Sequence, residues 1–166
     1  AVSSNSPSAQ SNGATVVNPG IYDDTHSAWC YDGPWNTYSG SGPFNNSMHY
    51  TSTPGSQAEI TFTGTQFKLK YTQLTNSGLI DVYVDGVKVD TINANGSLIW
   101  QKSWSSATYA LGDHTVRFVH AGGGALIDVD AIEIIGPDVT APAAISDLNA
   151  VTGVAGGSVN LSWTAV

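Results

Sequence analysis

The feature that most constrains this chain is a period of two. Ala58, Ile60 and Phe62 alternate with Glu59, Thr61 and Thr63, and Phe67, Leu69 and Tyr71 alternate with Gln66, Lys68 and Lys70. Such alternation fits a strand with one buried face and conflicts with the 3.6-residue repeat of an amphipathic helix. Gly64-Thr65 between the two runs reads as the turn of a hairpin. A second hairpin is written more strongly: Leu79–Val84 and residues 87–92 flank Asp85-Gly86, a loop suited to the type I′ turn that matches strand twist. Further strands are read at residues 98–104, 114–120 and 126–135, the last two joined by Gly122-Gly123-Gly124. No segment holds a helical period, so the expectation is an all-β fold, a two-sheet β-sandwich or jelly roll with practically no helix.

Length and composition divide the chain. Of 166 residues, 41% are hydrophobic and only 11% charged, with 18 Gly, enough for one two-layer core and a remainder. Residues 1–13 form a polar tail with little apolar area to offset the entropy of ordering. The sandwich is assigned to residues 14–136, a linker to 137–143, and a separate partial unit to 144–166. In that last segment Val159, Leu161 and Trp163 alternate toward one face. Two strands with one apolar face are marginal alone, so this face is expected to be covered, with another copy of the chain as one candidate.

Charge excludes some partners. Five Lys and Arg against thirteen Asp and Glu give a net charge of −8. The cations Lys68, Lys70, Lys88, Lys102 and Arg117 are scattered, so no footprint for nucleic acid exists. No apolar run approaches the ~20 residues of a spanning helix, so membrane insertion is not expected. The start at Ala without Met, as after removal of a signal peptide, and the few lysines lead to an extracellular expectation, secreted or cell-surface attached. Cys30 is the single cysteine and reads as a small buried hydrophobe. Sequons at Asn45, Asn95 and Asn160 are compatible with surface placement.

A family resemblance rests on Tyr22-Asp23-Asp24-Thr25, Ala28-Trp29, Tyr31-Asp32-Gly33-Pro34-Trp35, Phe62-Thr63-Gly64-Thr65, Val82-Tyr83-Val84-Asp85-Gly86, Leu111-Gly112-Asp113-His114-Thr115 and Asp128-Val129-Asp130-Ala131-Ile132. Together these resemble a galactose-binding-like jelly roll over roughly residues 20–135, of the kind found as accessory modules in secreted bacterial glycoside hydrolases and cell-surface proteins. The end of the chain, in Pro142, Leu148 and Ser158-Val159-Asn160-Leu161-Ser162-Trp163, resembles the first strands of a fibronectin type III domain. The resemblance implies carbohydrate binding by a module of a larger protein. Much of the motif set is architectural, and function has to be argued from a site.

Sugar recognition needs flat aromatic faces against the C–H side of a pyranose, with polar groups addressing hydroxyls. Trp100 and Trp104 lie four residues apart, on one side of a regular strand with Lys102 between them. The stretch 31–50 reads as a long loop carrying Trp35, Tyr38, Phe44, His49 and Tyr50. The candidate contacts are therefore Trp100 and Tyr38 first, then Trp104 and Trp35. Asp128 and Asp130 lie two apart on one strand, and Asp24 follows the first strand, oxygen donors of a kind that suits Ca²⁺. Related jelly rolls often hold a structural calcium where the first and last strands meet, with Asp130 at a comparable position. Asn18-Pro19-Gly20-Ile21-Tyr22 stands where those modules carry a Glu-rich ligand strand, and no cofactor is required.

No nucleophile motif and no metal triad at helical spacing accompanies the histidines, so an enzyme is not expected. His26 and His49 read as polar loop residues, and His114 as a hydrogen-bonding residue near a turn. Two functions follow. One is a non-catalytic extracellular carbohydrate-binding module whose partner is a polysaccharide or glycan. The alternative is a structural subunit of an extracellular fibre or surface layer, assembled by β-strand addition between copies through Val159, Leu161 and Trp163.

Overall fold

The computed structural model describes residues 15–138, 148–152, 156–157 and 159–164. The tail assigned to residues 1–13 and residues 139–143 of the linker lie outside the described residues. The strands, in chain order, are β1 (Val16–Val17), β2 (Gly20–Asp23), β3 (Cys30–Asp32), β4 (Asn36–Ser39), β5 (Ser47–Thr51), β6 (Gln57–Gly64), β7 (Gln66–Gln73) and β8 (Leu79–Val84). They continue as β9 (Val87–Asn93), β10 (Ile99–Ser105), β11 (Gly112–His120), β12 (Ile127–Val129), β13 (Ala131–Ile135), β14 (Asn149–Thr152) and β15 (Val159–Ser162). The sole helical element among the described residues is a single 3₁₀ turn, Phe44–Asn46. No helix among them is long and apolar enough to cross a membrane.

The strands build a β-sandwich. One layer has the order β1-β6-β11-β8-β9, with β3 also pairing β6. The other combines the sheets β10-β7-β13-β2 and β12-β5-β4, joined because β12 and β13 are one strand interrupted at Asp130. The alternation read from sequence is realised in burial: β6 and β7 each bury every second side chain along most of their length. Phe62 and Phe118 of the first layer meet Phe67 of the second, with ring centroids 5.6 and 6.1 Å apart. Burying each such ring contributes about 1.5–3 kcal/mol, which makes this inter-layer cluster the centre of the core.

Asp85 and Gly86 both have positive φ, +50° and +80°, as a type I′ turn requires, and β8 and β9 pair antiparallel across them. The other expected hairpin is not one. β6 pairs with β11 while β7 pairs with β10 and β13, so Gly64-Thr65 carries the chain from one layer to the other. Thr65 N–H donates to the Ile135 carbonyl at 2.8 Å, which ties the crossover to the second layer.

Three local expectations also change. The stretch 31–50 is not one loop: it begins with the end of β3 and continues as a β4–β5 hairpin, in register Tyr38 to Met48 and Asn36 to Tyr50. Its Asn-Thr-Tyr-Ser strand has no apolar alternation and is ordered by pairing. Cys30 is exposed, because Trp29 takes the inward position and turns Cys30 outward beside Glu59. His49 faces the interior, opposite Val129.

At the end of the chain β14 pairs antiparallel with β15. Val159, Leu161 and Trp163 are exposed at 64%, 57% and 54%, so nothing within the described chain covers them.

Candidate functional site

Strand parity places the site. Residues opposite one another share a face, so the Tyr38–Met48, Asn36–Tyr50 and Tyr50–Asp128 pairs put Tyr38, Met48, Tyr50 and Asp128 on the outer face of the second layer. The alternate residues His49, Thr51, Val129 and Ile127 face inward. On the far side of the layer β10 adds Trp100. Tyr38 and Trp100 belong to edge strands separated by β7, β12 and β5, yet their rings stack with centroids 5.9 Å apart and 21° between planes. Only a curved layer brings two such edges together.

The curvature has a local cause. Between Ile99, opposite Gln73, and Lys102, opposite Tyr71, the register slips by one residue, and Gln101 sits at φ +52°. This β-bulge reverses the facing of the strand. Trp104, opposite Leu69, faces the core, packs on Phe67 at 5.8 Å and donates its indole N–H to Asp90 at 2.8 Å. Trp100 faces outward instead. The two tryptophans therefore lie on opposite faces, against the expectation of a shared platform, because a strand with a bulge does not keep a period of two. Lys102 follows Trp104 inward, hydrogen-bonded to Gln73 and 5.9 Å from the Tyr71 ring centroid. Trp35 is not brought to the cleft either: it packs on the core against Tyr31 and donates to the Asp32 carbonyl.

Trp100 is braced by the loop after β4. Gly42, at φ +121°, lies so close that an added Cβ would sit 2.5 Å from indole Cδ2 and Cε2. The bulge residue Gln101 donates its side-chain amide to the Gly42 carbonyl at 3.0 Å, fixing that loop over the ring.

Between these walls is a cleft of about 350 Å³ lined by Tyr38, Met48, Tyr50, Thr72, Leu74, Leu98, Trp100, Leu126 and Asp128. The size falls at the lower end of small-molecule sites, about 300–1,000 Å³. The lining is apolar apart from the rims of the rings, Thr72 and the floor. Asp128 is 1% exposed; its Oδ1 accepts the Thr72 N–H at 2.8 Å, while Oδ2 has no partner. Desolvation pushes this carboxyl up to about 8, and the nearby Asp130 adds to the rise. At neutral pH the floor is thus a largely neutral carboxyl.

Below the sheet lies a second polar cluster, absent from the expectations for His49. Asp24 is buried; its Oδ2 pairs with His49 Nδ1 at 2.6 Å and its Oδ1 accepts the Ser47 hydroxyl at 2.7 Å. His49 Nε2 reaches Thr37 Oγ1 at 3.3 Å, and Tyr31 stacks on the imidazole at 4.5 Å while donating to the Asp24 carbonyl. These bonds clip β4 and β5 to the turn after β2, which orients the Tyr38 side of the cleft. Burial raises the Asp24 carboxyl despite those partners.

Asp130 is buried in the kink between β12 and β13, where Oδ1 accepts the Phe44 N–H at 2.8 Å and Oδ2 is unpartnered. Burial pushes it up to about 7. Asp24, Asp128 and Asp130 do not converge as a ligand set: Asp24 uses both oxygens and Asp128 belongs to the cleft floor. Among the described residues no group of three or more His, Cys, Asp or Glu is arranged to hold a metal ion.

No family model matches the chain. It is 30% identical over 115 residues to an A type blood N-acetyl-alpha-D-galactosamine deacetylase of Flavonifractor plautii, covering 69% of this chain and 15% of that protein. It is 33% identical over 94 residues to an A type blood alpha-D-galactosamine galactosaminidase of the same organism, covering 54% of this chain and 8% of that protein. The chain thus spans a small part of the length of the curated relatives it matches. Among solved structures, a family 35 carbohydrate binding module from an environmental isolate superposes with a TM-score of 0.57 at 13% identity, covering 75% of this chain and 98% of that one. The β-sandwich here therefore shares its fold with nearly the whole of that chain.

Proposed function

We propose that the chain is a non-catalytic, extracellular glycan-binding module of a larger carbohydrate-active protein, and that sugar docks in the Tyr38–Trp100 cleft. The observation that carries this is the cleft itself: two stacked, partly exposed aromatic rings beside a buried carboxyl with one unsatisfied oxygen. Aromatic faces cover the C–H side of a pyranose while a buried polar group selects orientation. The two matched enzymes are named for action on sugar, and the matched region is a small fraction of each, as suits an accessory module. Binding at such a shallow aromatic site is weak for one sugar and gains from repetition along a polysaccharide.

The test is retention on a broad glycan panel and affinity electrophoresis. Trp100→Ala and Tyr38→Ala should each weaken retention about tenfold or more with the fold intact, as for truncation of aromatic anchors. A panel with no binder, or full retention by both variants, would overturn the reading.

One observation favours a second reading. The β14–β15 hairpin exposes Val159, Leu161 and Trp163, a face suited to covering by another copy, as in a fibre or surface layer. Removing residues 144–166 separates the readings in sedimentation: loss of self-association with glycan retention kept assigns assembly to the hairpin, and an unchanged sedimentation profile removes it.

A further inference from the structure

We propose that the cleft selects an acetamido sugar, with the N-acetyl group lodged over Asp128 and its methyl against Met48, Leu98 and Leu126. This rests on the glycan-binding reading and deepens it. A plain hexose carries a hydroxyl on nearly every carbon. Driven into a cleft walled by Met48, Leu74, Leu98 and Leu126, each unpaired hydroxyl costs about 1–3 kcal/mol in lost hydration. The walls offer those hydroxyls little in return.

The acetamido group has the complementary make-up. Its methyl gains from apolar walls, while its planar amide needs hydrogen bonds at a single place. The floor holds one such polar atom, Asp128 Oδ2, without a partner and buried under the cleft lining on a side chain held by the Thr72 N–H through Oδ1, so the amide reaches it once the carboxyl turns toward the cleft. An amide offers both an N–H and a carbonyl, so it can answer Oδ2 whether that oxygen accepts or carries a proton. A lone hydroxyl can do so too, yet it leaves the apolar walls unfilled. The polar neighbours that meet the floor are few: Thr72 from β7 turns its hydroxyl to Met48 Sδ at 3.3 Å, and Tyr50 from β5 stands opposite Asp128. No Lys or Arg lines the cleft, so a uronic acid would bring a carboxylate beside a buried acid with no cation to receive it.

Calorimetric or NMR titration of the whole chain with methyl glycosides tests this. The probes are N-acetylgalactosamine, N-acetylglucosamine, galactose, glucose and galacturonic acid. At least one acetamido sugar should bind ten times or more tightly than its hydroxyl counterpart, and galacturonic acid should bind least. Equal affinity for acetamido and hydroxyl partners would overturn the inference and leave glycan binding standing, whereas no binding by any glycan would overturn both. Asp128→Leu, which removes both oxygens at similar size, should narrow the acetamido preference to threefold or less; an undiminished preference in the folded variant removes Asp128 from the site. Independent of any variant, the acetyl methyl of the bound sugar should show a nuclear Overhauser effect to the Met48 methyl. Its absence in a saturated complex would overturn the placement.

Discussion

Gly42→Ala puts the stacking geometry at risk with one methyl group. The new Cβ would lie 2.5 Å from two indole carbons of Trp100, where carbon atoms at rest stand about 3.5–4.0 Å apart. Either the indole or the loop must retreat by roughly 1 Å. The Gly42 carbonyl accepts from Gln101, which holds the loop, so the ring is expected to shift and change its stacking on Tyr38. Alanine at φ +121° is also strained, by about 1–3 kcal/mol. For a domain of this size that strain corresponds to a melting temperature lower by roughly 3–15 °C. The assays are thermal melting, affinity electrophoresis in the glycan that retains the unmodified chain, and the position of the Trp100 indole N–H resonance. The expected result is a folded protein with a shifted Trp100 resonance and about tenfold weaker retention. Unchanged retention together with a shifted resonance would refute the claim that the position of Trp100 sets binding. An unchanged resonance would refute the bracing by Gly42.

Burial holds Asp128 at about 8 and Asp130 at about 7, both above the ordinary 3.8, so the folded chain keeps protons that the unfolded chain releases. Their contribution is complete below about pH 4 and is lost as pH rises through 7–8, with a ceiling near ~6 kcal/mol for Asp128. Stability should therefore fall between pH 5 and 9, less steeply in Asp128→Asn; identical slopes would contradict a buried neutral floor. A chelator should shift the melting temperature by less than about 2 °C, since Asp24 spends both oxygens on Ser47 and His49. A larger drop, reversed by calcium, would instead assign a structural ion to Asp130. Cys30, exposed beside Glu59, should react with a thiol reagent in the native state; protection until unfolding would contradict its outward facing.

The sequence by itself determined the strands with an apolar face. Ala58, Ile60 and Phe62, then Phe67, Leu69 and Tyr71, have to be buried at every second position whatever they pair with, and Asp85-Gly86 specifies its turn locally. Trp100 and Tyr38 were legible as candidate site residues because they are aromatics set among polar residues, and the structure brings their rings together, which the sequence did not show. Only the tertiary structure decided the rest. Gly64-Thr65 crosses between layers because partners far along the chain, β11 and β13, compete successfully for β6 and β7. The bulge at Gln101 sends Trp100 out and Trp104 in; it depends on pairing with β7 and on Gly42, and no local pattern records either. Asp128 looked like a partner of Asp130, two residues away, but pairing with β5 sets it on the cleft floor, while Asp130 lies in a kink held by the Phe44 N–H. A period of two states which residues share a side only while the strand stays regular. Which side is buried, and what stands across from it, is decided by residues distant in sequence.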